Sequence, residues 1–151
     1  MSHEVVLLAS HETHDLRLAV LRHDTPTKEV RFPEDDWPGT WHLGLRIEGS
    51  LVATSSWVPR PHAGDDSAVQ LRGMATARHL QGRGLGGILL EAGCDEATRR
   101  GHSMVWARAR DAALEFYVRH AFVVEGGGFV DEPTQLPHHL VTRSLPARSP
   151  G

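Results

Sequence analysis

Between positions 69 and 101 the chain passes from an apolar stretch, Val69-Gln70-Leu71-Arg72-Gly73-Met74-Ala75-Thr76, through a polar turn and the run Gln81-Gly82-Arg83-Gly84-Leu85-Gly86-Gly87 into a long helical pattern. A strand that turns through glycines into a helix directs unpaired backbone N–H groups at one point, where the helix dipole adds partial positive charge. Such a junction suits phosphate or pyrophosphate. The strand expected next, at 103–109, lies parallel to the first because a full helix separates them.

Upstream, Val5-Val6-Leu7-Leu8 reads as a strand. Ser10 or Thr13 caps the helix expected after it, with Leu16, Ala19, Val20 and His23 at helical spacing and Arg17 and Arg22 turned outward. That helix stops before Pro26, whose predecessor is pushed toward extended geometry. Residues 24–39 have no clean period; they read as a loop bordering a binding site, or one that hides a short helix. Residues 41–47 alternate, Glu48-Gly49 forms a hairpin turn, and residues 50–58 supply the antiparallel partner. Residues 59–68 form an exposed connection.

In the long helix, Leu85, Ile88, Leu89, Ala92 and Ala97 mark one face and Glu91, Asp95, Thr98, Arg99 and Arg100 another, with Gly101 as C-cap. Downstream, Asp111 caps a short helix over 112–120, a strand begins at Phe122, Gly126-Gly127-Gly128 breaks it, and a last strand covers 138–145. The order predicts an α/β fold in which helices cover a mixed sheet, in a single domain over 1–145 with a flexible tail at 146–151.

The formal charge of −3 over 151 residues gives no surplus of Lys and Arg for a nucleic-acid backbone. No apolar run approaches a membrane span, and no secretory pattern opens the chain, so a soluble cytoplasmic protein is expected. Cys94 is the one cysteine. It forms no intrachain disulfide, and its place in the long helix predicts a buried side chain. His11/His14 and His138/His139 are isolated pairs without a third converging ligand, so no metal site is expected.

Read by spacing alone, the glycine run is open to several interpretations. Gly82, Gly84 and Gly87 match G-x-G-x-x-G by number, but no acidic residue ends a second strand nearby, so a dinucleotide-binding oxidoreductase has little support. Walker A is excluded, since no Lys-Ser or Lys-Thr follows the glycines. A flexible turn whose glycine merely N-caps a helix is the plain structural alternative.

Gln81-Gly82-Arg83-Gly84-Leu85-Gly86 matches the Q/R-x-x-G-x-G/A signature, and the run from Ala113 to Phe122 resembles the A-x-x-F-Y-x-x-x-G-F segment, of the GCN5-related N-acetyltransferase (GNAT) superfamily. The resemblance covers residues 43–145. Gln70 to Thr76, Ala112-Ala113-Leu114-Glu115-Phe116-Tyr117 and Pro137-His138-His139 look most like the small bacterial branch around the YjcF and ElaA proteins. The resemblance implies a mixed, mostly antiparallel central sheet with helices on both faces. It implies acetyl-CoA as cosubstrate: Gln81, Gly82, Arg83, Gly84, Leu85, Gly86 and Gly87 around the pyrophosphate, Met74, Ala75 and Thr76 along the pantetheine arm of a splayed strand, and Arg110, Ala113 and Phe116 beside them. Three positions depart from the family: Thr76-Ala77-Arg78 lacks the V-x-P proline, Arg110 stands where asparagine is usual, and Ala121 replaces glycine.

Acyl transfer to an amine needs a neutral nucleophile, stabilisation of the oxyanion and a proton for the departing thiolate. Tyr117, the one tyrosine, reads by itself as a half-buried aromatic beside Phe116, but the surrounding motif places it at the family's general-acid position. Gln70 stands where many relatives carry a glutamate base, and an amide cannot titrate. His138 or His139 is the next candidate, since strand alternation turns only one of them inward; His138 is the catalytic choice, with His42 and Glu125 behind it. Arg108 either binds a carboxylate on the acceptor or closes a surface ion pair, Asp35 and Asp36 are further candidates for the acceptor side, and Trp37, Trp41 and Trp57 line that side or fill the core. The expected activity is N-acetyl transfer to a small-molecule amine in a ternary complex. The alternative is a CoA-binding sensor without activity. A homodimer is expected because compact enzymes often form one.

Overall fold

The computed structural model describes residues 2–147, so the last part of the expected tail, 148–151, lies outside the described residues. After β1 (His3–Leu8) the chain winds through a 3-10 turn (Ser10–Thr13), α1 (His14–Leu16), a π turn (Arg17–Leu21) and a second 3-10 turn (Pro33–Asp36). Then follow β2 (Trp41–Ile47), β3 (Ser50–Pro59), β4 (Val69–Thr76), α2 (Leu85–Arg99), β5 (Met104–Arg110), α3 (Leu114–Arg119), β6 (Val123–Asp131) and β7 (Leu136–Ser144). The strands form one seven-stranded sheet in the order β1-β2-β3-β4-β5-β7-β6. Only β4 and β5, joined through α2, run parallel; every other neighbouring pair is antiparallel.

Local chemistry explains the register. Glu48 and Gly49 both take positive φ, 50° and 82°, the twist that a two-residue hairpin between β2 and β3 requires. On β4, Gly73 (φ 61°) and Met74 together oppose Ser55, because pairing slips between Thr54↔Ala75 and Ser56↔Arg72. This bulge bends β4, and its pairing with β5 is confined to Val69↔Val105 and Gln70↔Trp106. The expected splay is therefore present.

Helical segments cover both faces. On one, a Cβ built on Gly93 of α2 would stand 1.9 Å from the Trp57 ring, so the helix backbone rests directly on that indole. Trp57 in turn stacks on Trp41 at 4.9 Å, which makes these two tryptophans core and leaves Trp37 exposed against Arg60. On the other face, reached by the neighbouring residue Ser56, lies the segment from Ser10 to Leu21.

Several expectations are corrected. Arg17 is 1% exposed rather than turned outward, because a buried carboxylate, Asp35, meets it. Ala9, not Ser10, is the N-cap of the first 3-10 turn, its amide donating to Glu12 Oε1 at 2.9 Å. Thr13 stands at the N-cap of α1, but its hydroxyl donates back to the Ser10 carbonyl at 2.7 Å and makes no side-chain cap. In α2 the buried stripe is Leu85, Leu89, Leu90, Gly93, Cys94 and Ala97. Ile88 is displaced from it and lines a cavity, 38% exposed, while Ala92 lines the cavity but still packs, partly buried, against the core. Asp111 makes no cap, since its carboxylate pairs with His139 Nδ1 at 2.7 Å. Gly126 has the positive φ expected of a break, 72°, yet β6 continues through the glycines as an irregularity between Glu125 and Phe129.

Candidate functional site

Where β4 leaves β5, two cavities open, and Met74, Ala113 and Tyr117 stand in the walls of both. The larger, about 1160 Å³, lies over the glycine loop and the first turns of α2. Gly82 and Gly84 hold φ of 82° and 79°, and a Cβ on either would meet nothing within 4 Å. Backbone conformation, not crowding, is what calls for glycine there. The loop's backbone hydrogen bonds run Leu80→Ala77, Gln81→Arg78 and Ile88→Gly84, and none draws on the amides of 82–87. Those of 85–87 have no acceptor within α2 by helix geometry. The Gln81 side chain latches the loop by donating from Nε2 to the Thr76 carbonyl at 3.0 Å.

Of the residues expected at a cofactor, Met74, Ala75, Thr76, Gln81, Gly82, Gly84, Leu85, Gly86, Gly87, Ala113 and Phe116 line this cavity. Two do not. Arg83 is exposed beside the loop and outside the lining. Arg110 donates to the Leu21 carbonyl at 2.6 Å, lies 3.9 Å from Asp24, and faces the smaller cavity. The periodicity of α2 missed Glu91 in this wall. Hydrogen bonds from Arg143 at 2.9 and 3.0 Å, helped by His120, hold its carboxyl below the usual range.

Tyr117 is buried between Phe116 and Phe122, each edge-on at 5.2 Å. Burial alone raises its pKa above that of an ordinary phenol, so it keeps its proton throughout the neutral range.

The smaller cavity, about 200 Å³, carries His138 in its wall, while His139 turns away to Asp111. His138 is 5% exposed and stacks near Phe129; its Nδ1 lies 2.9 Å from the Leu136 carbonyl. A carbonyl only accepts, so the proton of the neutral ring sits on Nδ1 and Nε2 bears the lone pair. Gln70 also lines this cavity, its Oε1 accepting from Arg60 at 2.8 Å. Arg108 lines the cavity and closes an ion pair with Asp131 at 2.9 Å, the second of the two roles expected for it.

His42, Glu125, Asp35 and Asp36 lie outside both linings. Both nitrogens of His42 are engaged, with Ser56 Oγ at 2.7 Å and the Asp35 carbonyl at 3.1 Å. Glu125 pairs with His62. Cys94 is buried, and burial pushes its thiol up to about 12, so it is inert packing. Sequence reading missed Arg22, Phe32, Asp131 and Thr134, which complete the small cavity.

Residues 9–122 match the family model described as the acetyltransferase (GNAT) family. The chain belongs to that family. It is 27% identical over 143 residues to the uncharacterised N-acetyltransferase YitI of Bacillus subtilis, covering 91% of this chain and 93% of that one. Among solved structures, an acyl-CoA N-acyltransferase of Pseudomonas aeruginosa shares the fold at a TM-score of 0.78 and 22% identity, covering 94% and 99% of the two chains. Escherichia coli ElaA shares it at 0.77 and 18% identity, with the same coverage. GNAT membership carries the family's general chemistry, acyl transfer with acetyl-CoA as cosubstrate. The larger cavity fits such a molecule: the amides of 82–87 at the N-terminus of α2 make no backbone hydrogen bond, as a diphosphate site requires, and β4 beyond Gln70 has no partner pair in β5. Among the described residues no group of three or more His, Cys, Asp and Glu could hold a metal ion, and no helix is long and apolar enough to cross a membrane.

Proposed function

We propose that this GNAT chain transfers an acetyl group from acetyl-CoA to a small primary amine held in the smaller cavity, by direct attack in a ternary complex. The observation that carries the reading is that Tyr117 lines both cavities, which supports a proton donor between a coenzyme in the larger and an amine in the smaller. The run at 70–76, the 112–117 segment and Pro137-His138-His139 favour the branch around YjcF and ElaA.

Acetyl-CoA supplies an activated acyl carbon and a thiolate leaving group. The amides at 82–87 bind its diphosphate, and backbone N–H groups near Met74, Ala75 and Thr76 polarise the thioester carbonyl. His138 Nε2 takes the proton that the amine sheds as its nitrogen bonds to the acyl carbon. Tyr117 donates from its hydroxyl to the sulfur as the C–S bond breaks, and it is reprotonated from solvent, to which His138 releases the proton it took, so that no net proton is consumed. Gln70, an amide held by Arg60, takes no proton, which moves the base from β4 to β7.

That same glutamine favours a second reading, a CoA-binding sensor without turnover. Titration with acetyl-CoA should show saturable binding with a constant on the micromolar scale, and absence of binding removes both readings. Thiol release with a panel of amines then separates them. Tyr117→Phe should lower turnover roughly 10²-fold while coenzyme still binds, whereas a sensor releases no thiol in either form.

A further inference from the structure

The smaller cavity is rich in cations. Arg22, Arg72, Arg108 and Arg110 line it, and Asp131 is the one carboxylate among its lining residues. Asp131 is already engaged by Arg108 at 2.9 Å and by Thr134 Oγ1 at 2.9 Å. The partners of two other arginines, Glu34 for Arg72 and Asp24 for Arg110, lie outside the lining. Among the described residues Arg22 has no carboxylate in hydrogen-bond contact; it donates to the carbonyls of Glu29 at 2.9 Å and Leu21 at 3.4 Å. Phe32 anchors the cluster, with the Arg72 and Arg22 guanidinium carbons 4.3 and 5.8 Å from its ring centroid.

Like charges gathered in a partly buried space repel one another. Burial first, then Arg110 and Arg72, lower the pKa of Arg22, and burial likewise lowers that of Arg72. A ligand that brings negative charge relieves this repulsion, and a guanidinium fork matches a carboxylate or phosphate through paired N–H···O bonds. A cationic polyamine, or an aminoglycoside with several ammonium groups, meets repulsion from the arginines that line the cavity.

We infer that the acceptor is a small primary amine that also bears an anionic group, a carboxylate or a phosphate, which the Arg22–Arg72 side of the cavity holds while the amine faces His138 and Tyr117. The inference rests on the acetyltransferase reading and adds the substrate class to it. Arg22 is a specificity-determining residue here, and His138 and Tyr117 keep the roles already given.

The test uses the full chain and acetyl-CoA, with thiol release measured for matched amines. β-Alanine and L-glutamate represent carboxylates, O-phosphoethanolamine represents phosphates, ethanolamine and propylamine are the uncharged controls, and spermidine is the cationic one. The anionic amines should exceed their neutral counterparts in kcat/KM by roughly 10- to 100-fold, the range expected of charge-assisted hydrogen bonds. Whichever of the two anionic sets leads identifies the anion. Arg22→Met should raise KM for the anionic amine by a similar factor and leave acetyl-CoA affinity unchanged, with Arg22→Lys intermediate. Calorimetry with L-glutamate and O-phosphoethanolamine on the CoA-loaded protein reads the anion site without turnover, and the same variant should weaken it. The inference is overturned if neutral or cationic amines are acetylated as well as the anionic ones, or if neither anionic probe is turned over or bound. Failure to bind acetyl-CoA at all would instead sink the acetyltransferase reading beneath it.

Discussion

Arg17 and Asp35 meet in a bidentate ion pair, at 2.8 and 2.9 Å, with both side chains almost completely removed from solvent. The Arg17 fork also donates to the Val30 carbonyl and to Ser56 Oγ, each at 2.7 Å, and its guanidinium lies 3.8 Å from the centre of the Phe32 ring. Asp35 additionally accepts from the Phe32 amide at 3.0 Å. One side chain therefore ties the first helical segment, the otherwise irregular stretch before β2, and β3 together, and it positions Phe32 at the smaller cavity.

Arg17→Met should destabilise the fold by about 3–5 kcal/mol, because it leaves a buried carboxylate without its counter-charge. Replacing both partners at once, Arg17→Met with Asp35→Leu, should recover a large part of that loss, since two apolar groups leave no orphaned charge. Urea denaturation of the parent, the two single variants Arg17→Met and Asp35→Leu, and the double variant checks this. A double variant as unstable as the sum of the two single ones would show that the pair contributes nothing as a pair.

The same network sets the response to acid. Burial lowers the pKa of His42, against the opposing pull of Asp35, so the folded protein holds a neutral imidazole that the unfolded chain protonates more readily. For Asp35, burial pushes the carboxyl up, but the Arg17 and Phe32 hydrogen bonds outweigh it and leave the pKa below the usual value. Both folded pKa values are depressed, so the unfolded state binds more protons and stability rises with pH. The His42 contribution is present above about pH 6.5 and lost as pH drops through its folded value; that of Asp35 is lost only below about pH 4. Stability measured from pH 7 to 5 should therefore decline with a His42 contribution of at most about 1.4 kcal/mol per pH unit, and His42→Gln should flatten that limb. An unchanged slope in the variant would remove His42 as its source.

The β2–β3 hairpin and the β4–α2–β5 crossover are legible in the sequence because they are local: alternation, a two-residue turn and a glycine loop each carry their own signal. Arg17 is not. An arginine at that point of an amphipathic pattern reads as outward, and its partner lies 18 residues further on, in a stretch without period. The wall of the larger cavity was legible for a related reason, since nearly all of it comes from two short motifs and the helix between them. The smaller cavity draws Arg22, Phe32, Arg72, Asp131 and His138 from separate segments, and only the folded sheet brings them together. Ile88 shows the converse error: its spacing fits the core stripe, but the cavity claims it and leaves it 38% exposed.

Ala121 stands where relatives carry glycine, and it holds φ 66° between α3 and β6. An L-residue there costs about 1–2 kcal/mol, of which the greater freedom of an unfolded glycine would return about 0.4–1. Ala121→Gly should therefore raise stability by roughly 0.5–1 kcal/mol without altering turnover, as denaturant midpoints and thiol release would show. A loss of stability would mean that the methyl group packs more favourably than this backbone cost.

Gly86 allows fold and cofactor site to be tested apart. It lies in the first turn of α2 with no positive φ, so alanine suits its backbone and improves helix propensity by about 1 kcal/mol. The added methyl would stand 3.3 Å from Thr76 Oγ1 and 3.6 Å from the Phe116 ring, two groups that line the larger cavity with it. The small crowding at Thr76 offsets part of the helical gain, so Gly86→Ala should change stability by less than about 1 kcal/mol. The space between β4, α2 and Phe116 is nevertheless narrowed, and a bound pantetheine arm must pass through it. CoA affinity should fall by tenfold or more, measured by calorimetry, while the melting temperature holds. If CoA instead binds the variant as it binds the parent, the arm does not run between Thr76 and Phe116, and the placement of the coenzyme over the glycine loop is wrong.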